Sequence, residues 1–461
     1  MYKKILLFFI ILFIQFAYGA EIKDITSLPN KDVTAVISGS VSYDYDMTLE
    51  NCIRIALGNN PEILSAFEDI LANDSRLKQI WSNYFPQFSW QTSWSHIKQL
   101  QLSDAFNYNL EYEYYILGQI TLQQMLYDFG VTQNQATIQR LGLESSKKTF
   151  ASVVNDVIYK TKNAYYELLY SYEAEKVAQM NVDNYQTFYN QAKALFIVGL
   201  SPKIDVTIAE VNLSQAKMRL ISAKNLINTS VANLNNVMGV PYIEKYNIKG
   251  KLGYTPLNLS FADAVQKAYE ARPELKKAEI EVEQAHQNVK LQKKAYFPQL
   301  EFDGHYQEGG KHWTSNNGWQ IGVYLNFPII NGAMIYNQIK EANHLYNKQL
   351  ALAKKTQNDI YLEIQKSYLK LHEKENQLPV ATLQVKQAKE NYRISEARYK
   401  VGVSSPIEMR EAQNTLAESE LQYYKSLSEY NIAKSELERC IGINLSSGSN
   451  FLGINKNGKK Y

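Results

Sequence analysis

Residues 84–94 read YFPQFSWQTSW, and residues 296–306 read YFPQLEFDGHY. The shared Tyr-Phe-Pro-Gln openings lie 212 positions apart, and the residues after them alternate in both copies. Phe88, Trp90, Thr92 and Trp94 share one parity in the first copy, as Leu300, Phe302, Gly304 and Tyr306 do in the second. A second alternating run comes after each. In the first, Leu110, Tyr112, Tyr114, Ile116, Ile120 and Leu122 oppose Asn109, Glu111, Glu113, Gln119, Thr121 and Gln123. In the second, Trp319, Ile321, Val323, Leu325 and Phe327 oppose Gln320, Gly322, Tyr324 and Asn326. Period two marks half-exposed strands. Loops around 101–107 and 308–318 separate the runs, so each copy carries one hairpin, over about 88–125 and 300–328.

Beyond the hairpins, the whole chain is written twice. Upstream, Thr48-Leu49 and Asn60-Pro61-Glu62 recur as Ser260-Phe261 and Arg272-Pro273-Glu274, again 212 positions on. Downstream, Val198-Gly199 with Asp205 recurs as Val401-Gly402 with Glu408, and Met238-Gly239 as Ile441-Gly442, now at an offset of 203. The repeats span 48–239 and 258–442, joined by a linker at 240–257. Ordered agreement at separated places marks an internal repeat. Each copy opens with a short helix whose Thr48 or Ser260 hydroxyl is placed to cap the first turn. Pro61 and Pro273 restart a helix at its first position, where a missing amide hydrogen costs nothing. After the hairpin comes a long helix, Val131 to Val198 without proline, or Ala333 to Val401 with Pro379, where a kink is expected. Each long helix would reach about 100 Å at 1.5 Å per residue. Past the Gly199 or Gly402 turn, a last helix runs to Gly239 or Gly442, and Ser405-Pro406-Ile407-Glu408 has the form of a capping box.

The ends read differently. Met1-Tyr2-Lys3-Lys4, an apolar run from Ile5 to Ala17, and small residues at Ala17 and Gly19 form a signal peptide over 1–19. The run is short for a bilayer-spanning anchor, and no cysteine follows the cleavage point to carry a lipid. Residues 20–47 read as an N-terminal linker and 443–461 as a flexible polar tail. No other stretch is apolar for about twenty residues, which excludes an α-helical membrane protein but not a β-barrel. The net charge of +3 carries no nucleic-acid footprint. Thirty-four tyrosines suit a chain at a membrane–water boundary. Cys52 and Cys440 are read as two separate buried thiols, with pairing in an exported protein as the alternative.

Two hairpins supply four strands, too few to close a barrel, and an open sheet edge cannot face lipid because its amides would lack partners. The smallest outer-membrane barrels need about eight strands. If these strands cross a membrane, several copies must share one barrel; three copies of four strands make twelve. The helices agree. The two shorter helices of each copy, stacked end to end, span nearly the length of the long one, so each copy offers two equal rods. Their narrow apolar stripe suits a wall with water on both sides. Trp90, Trp94, Tyr112, Tyr114, Trp319 and Phe327 are the candidate aromatic girdle of the barrel.

The ordered set of signal peptide, tandem halves, Pro-Glu restart, aromatic-Pro-Gln before each hairpin and Val-Gly followed by an acid after each long helix resembles the TolC-like outer-membrane efflux family. The resemblance covers roughly Asp46 to Gly442. It implies an α+β membrane protein: a homotrimer whose 12-stranded outer-membrane β-barrel, four strands per chain, continues into a 12-helix periplasmic α-helical barrel. It implies a passive exit duct for small molecules or polypeptides, as part of a tripartite efflux or type I secretion system, and not an enzyme. The implied partners are outer-membrane lipid, a periplasmic adaptor and an inner-membrane transporter. By position, Glu408 and Glu411 match acidic residues that ring the family's periplasmic constriction, and Tyr399 and Asp205 match its closing network. Ser404 stands where the family has an arginine, so an Asp–Arg lock is not expected. Gly199, Ser201, Gly402, Ser404 and Ser405 match the helix-tip turns where the adaptor docks. Helix stability alone also accounts for Glu408 and Asp205, each in the first turn of a helix.

No catalytic set emerges beside this reading. The histidines are scattered, no phosphate loop is present, Cys52 has no adjacent base, and no cofactor or metal site is expected. The rivals are a secreted trimeric coiled-coil stalk, which would lack amphipathic hairpins, and a periplasmic hydrolase, which would need a nucleophile–base pair. Drugs, metal ions and proteins all use tunnels of this kind, so the cargo stays open.

Overall fold

The computed structural model describes residues 47–102, 107–240, 248, 250–310, 316–401 and 403–442. The expected signal peptide, most of the N-terminal linker, part of the central linker, Gly402 and the C-terminal tail lie outside the described residues. The first half comprises α1 (Leu49–Asn59), α2 (Pro61–Trp81), β1 (Gln87–Leu102), β2 (Asn107–Tyr127), α3 (Val131–Ile197) and α4 (Lys203–Met238). The second repeats the series as α5 (Phe261–Ala271), α6 (Pro273–Lys294), β3 (Gln299–Gly310), β4 (Asn316–Asn326), α7 (Met334–Lys400) and α8 (Pro406–Cys440).

Local chemistry sets the boundaries. The Thr48 hydroxyl accepts the Asn51 amide at 3.3 Å and the Ser260 hydroxyl accepts that of Asp263 at 3.1 Å. Pro61 and Pro273 stand at the first positions of α2 and α6. The strand-to-helix turn repeats as well. Phe129 and Gly130 take φ of 50° and 79°, and Gly332 and Ala333, 203 positions on, take 61° and 64°. Both turns need two successive left-handed residues, and each supplies only one glycine. The kink expected at Pro379 does not divide the helix: α7 runs 67 residues through it. Its side chain sits on the exposed side.

Helices pack as a single layer of rods. Away from the sheet, α4 packs on α3, and α8 packs between α3 and α7. Nearer the sheet, α2 packs on α3, and α6 lies between α3 and α7. The order of rods is therefore α2/α4, α3, α6/α8, α7, each shorter pair matching one 67-residue helix. Each half has its own core where its short helix meets the rods. Cys52, Leu57, Ile158, Leu168 and Leu234 centre the first, and Ala264, Ile364, Tyr430 and Leu437 the second. The two thiols therefore sit in different clusters, both free. Burial pushes Cys52 up to about 12 and Cys440 up to about 11, so neither is a reactive thiolate.

Between the halves lies a charged cluster. In the first copy Lys160 binds Glu62 at 2.8 Å. At the matching places the second copy has Glu363 and Glu274, and Arg272 joins them: it binds Glu363, and its Nε lies 3.1 Å from Glu274. Arg439 adds a bond to Glu363 and reaches Asp156 of α3 at 3.2 Å. The Ser152 hydroxyl of α3 donates to Glu274 at 2.6 Å. Arg272 is almost wholly buried, so the cluster ties α6, α7 and α8 to α3 of the other half.

Candidate functional site

The four strands form one antiparallel sheet in the order β1-β2-β3-β4. The hairpins thus join through β2 and β3, and within one chain β1 and β4 remain as edges. Residues opposite each other across a ladder share a face. Trp90 faces Ile120, which faces Tyr306, which faces Trp319; Leu122, Gly304 and Ile321 form the next row. In these two rows that face is apolar and open, with Trp319 75% and Trp90 58% exposed. Glu308, opposite Gly118, and Glu113, opposite His96, share it further along the strands. The other face carries Gln91, Gln119 and Gln307, then Thr121, His305 and Gln320, then Gln123 and Asp303. Gln123 donates to Asp303 at 3.3 Å across the ladder.

One extra residue in β2 breaks the parity expected over 110–122. The register slips between Ile116 and Gly118, so Trp94 faces Tyr115 and Ser95 faces Tyr114. A bulge turns every later side chain to the opposite face. Tyr114 therefore leaves the row of Trp90 for the polar face, where Gln307 donates to its hydroxyl at 3.1 Å. Gly118 at the bulge lies under the Trp90 indole, 2.5 Å from where a Cβ would stand. Trp90 and Trp94 lie on the apolar face of β1, and Trp319 lies on that of β4. Phe327 lies one residue past β4, and the side chain of Tyr112 lies outside the described residues. A further aromatic row, beyond the residues expected to form a girdle, lies at the sheet's base. Phe85, Tyr127, Phe129 and Phe297 are all exposed there, with Phe129 stacked on Phe297 at 5.6 Å. The Phe of each Tyr-Phe-Pro-Gln motif was the legible signal for that row.

At the far end of the rods, the tips of the two halves pack together. Phe188 and Ala192 of α3, Ala209 of α4, Tyr392 and Tyr399 of α7, and Met409 of α8 form one cluster. Tyr399 lies against Phe188, centroids 5.1 Å apart. Its hydroxyl is pushed up by burial first and then by the charge of Asp205, so these two candidates do come near each other. Among the described residues no hydrogen bond joins them. Asp205 instead accepts from Ser201 at 2.5 Å, and Glu408 accepts from Ser404 at 2.7 Å, 203 positions on. This paired serine–carboxylate clasp across each turn stands at matching positions of the two repeats, four residues apart in each. The expected capping box is half made: Ser405 accepts the Glu408 amide at 3.2 Å, and the carboxylate turns to Ser404. Gly199 takes φ of 77° with open space around it, so the turn's conformation, not close packing, demands glycine there. Glu408 and Glu411 are both exposed, and Glu411 lines an open groove between α4 and α8 with Thr207, Val211, Arg410 and Asn414. Among the described residues no helix is long and apolar enough to cross a membrane, and no group of metal-binding side chains occurs.

This geometry has counterparts among known proteins. The model of the outer membrane efflux protein family matches residues 52–240 and 264–443, one stretch in each half. The chain is 22% identical over 404 residues to the probable efflux pump outer membrane protein TtgC of Pseudomonas putida, covering 84% of this chain and 81% of the relative. It is 18% identical over 421 residues to the outer membrane protein TolC of Escherichia coli, covering 88% and 84%. Among solved structures, the Campylobacter jejuni CmeC outer membrane channel aligns with a TM-score of 0.70 at 17% identity, over 87% of this chain and 89% of that one. The outer-membrane channel OprN aligns with a TM-score of 0.72 at 15% identity, over 89% and 96%.

Proposed function

The chain belongs to the outer membrane efflux protein family, and from that premise we propose the assembly in which it works as the outer-membrane exit duct of an efflux pump. Three copies join side by side. Their sheets close into a 12-stranded barrel, and their rods continue it as a tunnel through the periplasm. The observation that carries this is the pair of unfinished flanks on one chain. The sheet ends in two unpaired edges, β1 and β4, which no lipid can satisfy. The rod layer ends in α2/α4 on one side and α7 on the other. Ile204, Val211 and Met218 are exposed along α4 at heptad spacing, and Leu362 and Leu369 along α7. Such seams seek a partner helix.

In this assembly the row of Trp90 and Trp319 faces lipid, and the Gln, Asp and His row faces the channel. At the opposite end Glu408 and Glu411 ring the tunnel mouth, with the clasped turns at Ser201 and Ser404 presented to a periplasmic adaptor, and an inner-membrane transporter supplies the cargo. Mass measurement in detergent tests the stoichiometry, and conductance in planar bilayers tests the duct. A fully folded monomer or dimer, or a trimer that conducts no ions after its gate residues are replaced, would overturn the proposal.

A further inference from the structure

The two halves leave their short helices differently covered. In the first, Leu49, Ile53 and Leu57 of α1 share a cluster with Ile158 of α3. The chain leaving α4 closes over that cluster: Val240, Ile248 and Leu252 pack on it, and Ile248 makes a parallel bridge with Met47, just ahead of α1. In the second half the counterparts are Phe261, Val265, Tyr269 and Tyr361. All four line an open, mainly apolar groove between α5 and α7. Tyr361 is 42% exposed where Ile158 is 2% exposed. Leu259, the counterpart of Met47, is in place against the core at the head of α5.

The chain leaves both halves in the same way. Gly239 takes φ of 66° against the Asn59 carbonyl, and Gly442 takes 75° against Ala271, the counterpart of Asn59. Their amides donate to Asn236 and Arg439, again matching positions. After Gly442 the chain reads INLSSGSNFLGI, residues 443–454, with no charge and with Ile443, Leu445, Phe451, Leu452 and Ile454. At the 203 offset Val240 corresponds to Ile443, and Ile248 to Phe451.

We propose that residues 443–454 occupy the α5–α7 groove, folding back along α5 as the chain after α4 folds back along α1. Phe451 then lies beside Leu259 and covers Tyr361. Reach is sufficient: nine extended residues span up to ~30 Å, and an eleven-residue helix is only about 16 Å long. Apolar and aromatic surface on both sides leaves water together, which drives the contact. The uncharged stretch ends where the lysines begin, at Lys456, so the polar remainder extends past the groove. This departs from the flexible tail expected over the whole of 443–461.

The full-length trimer carrying Leu259→Cys and Phe451→Cys tests this under mild oxidation. Residues paired as Met47 and Ile248 are lie within disulfide reach. The native Cys52 and Cys440 are fully buried, so the two single variants give the background. The expected result is a link within one chain in most molecules, reversed by reductant. No link, or a link between two chains, overturns the proposal, the latter because a neighbouring copy would then fill the groove. Oxidative footprinting of Tyr361 and Tyr269 gives a second readout that needs no new cysteine. Phe451→Asp should raise their labelling severalfold while trimers persist, and equal labelling in both proteins refutes the contact.

Discussion

At the scale of single residues, two carboxyls of the Arg272 cluster feel burial and charge in opposite directions. Burial pushes the carboxyls of Glu274 and Glu363 up, but Arg272, joined by Ser152 at Glu274 and by Arg439 at Glu363, outweighs it and holds both below the usual glutamate range. A carboxyl depressed in the folded state contributes stability above its unfolded pKa, about 4.3, and loses it as pH falls through the folded value. Asp156 is shifted up, by burial before any other cause, and offsets part of this. The thermal midpoint of the detergent-solubilised protein should therefore fall steeply below about pH 4.3. Glu363→Gln should lower the midpoint at neutral pH and flatten the acid limb. The cost should be about 1–3 kcal/mol, less than for a fully buried pair, because Glu363 is 34% exposed and water screens it. An acid limb identical to wild type would show that Glu363 is not the titrating group. The tip offers a second test. If Glu411 rings a narrow mouth, divalent cations should lower single-channel conductance from that side, and Glu411→Ala should abolish the block. Glu411 has no capping duty, so unchanged block in this variant removes it from the gate. The buried cluster was not legible in the sequence, because its partners are chosen by where chains come together. The serine clasps, four residues apart at matching places in the two repeats, are local and could be read there.

At the scale of elements, helices were the most legible feature. The spacing of Pro61, Pro273, Gly199 and Gly239 announced starts and stops, because each acts on its own backbone. The strands were legible by alternation until the bulge at Ile116–Gly118, where one unpaired residue moved Tyr114 to the other face. Brominated or spin-labelled lipid should therefore quench Trp90, Trp94 and Trp319 strongly. A tryptophan placed at Tyr114 should remain accessible to aqueous quencher. Equal lipid quenching at 114 would contradict the two faces read from the ladder. The strand-to-helix turn carries its own test. Ala333 sits at φ of 64° where the first half has glycine, and a left-handed non-glycine residue costs roughly 1–2 kcal/mol. Ala333→Gly should raise stability by up to about 1 kcal/mol, since added freedom of the unfolded chain offsets part of the relief. A fall in the thermal midpoint would show the turn is not strained.

At the scale of the whole molecule, the unpartnered flanks matter most. Met218 and Ile221 of α4 are 69% and 68% exposed in one chain. On a free surface, changing them to Asp should cost within about ±0.5 kcal/mol. In a closed wall of rods the same pair would place charge in an interface. Met218→Asp with Ile221→Asp should therefore abolish the trimer in detergent while circular dichroism remains helical. A trimer of unchanged yield would show that this flank is not the seam between copies.

The tandem halves, the long helices and the two hairpins were determined by sequence alone, since periodicity and turn residues act over a few positions and repeat at fixed offsets. The joining of β2 to β3, the packing of α8 against α3 and the burial of Arg272 were decided only by the tertiary structure. Each depends on which faces meet when two halves with the same plan close on one another. The same plan also hid the difference between them: Lys160 with Glu62 in one half, Glu363 with Arg272 in the other. Local pattern carries no record of such a reversal, because a charge chooses its partner across space, at contacts that sequence offsets do not specify.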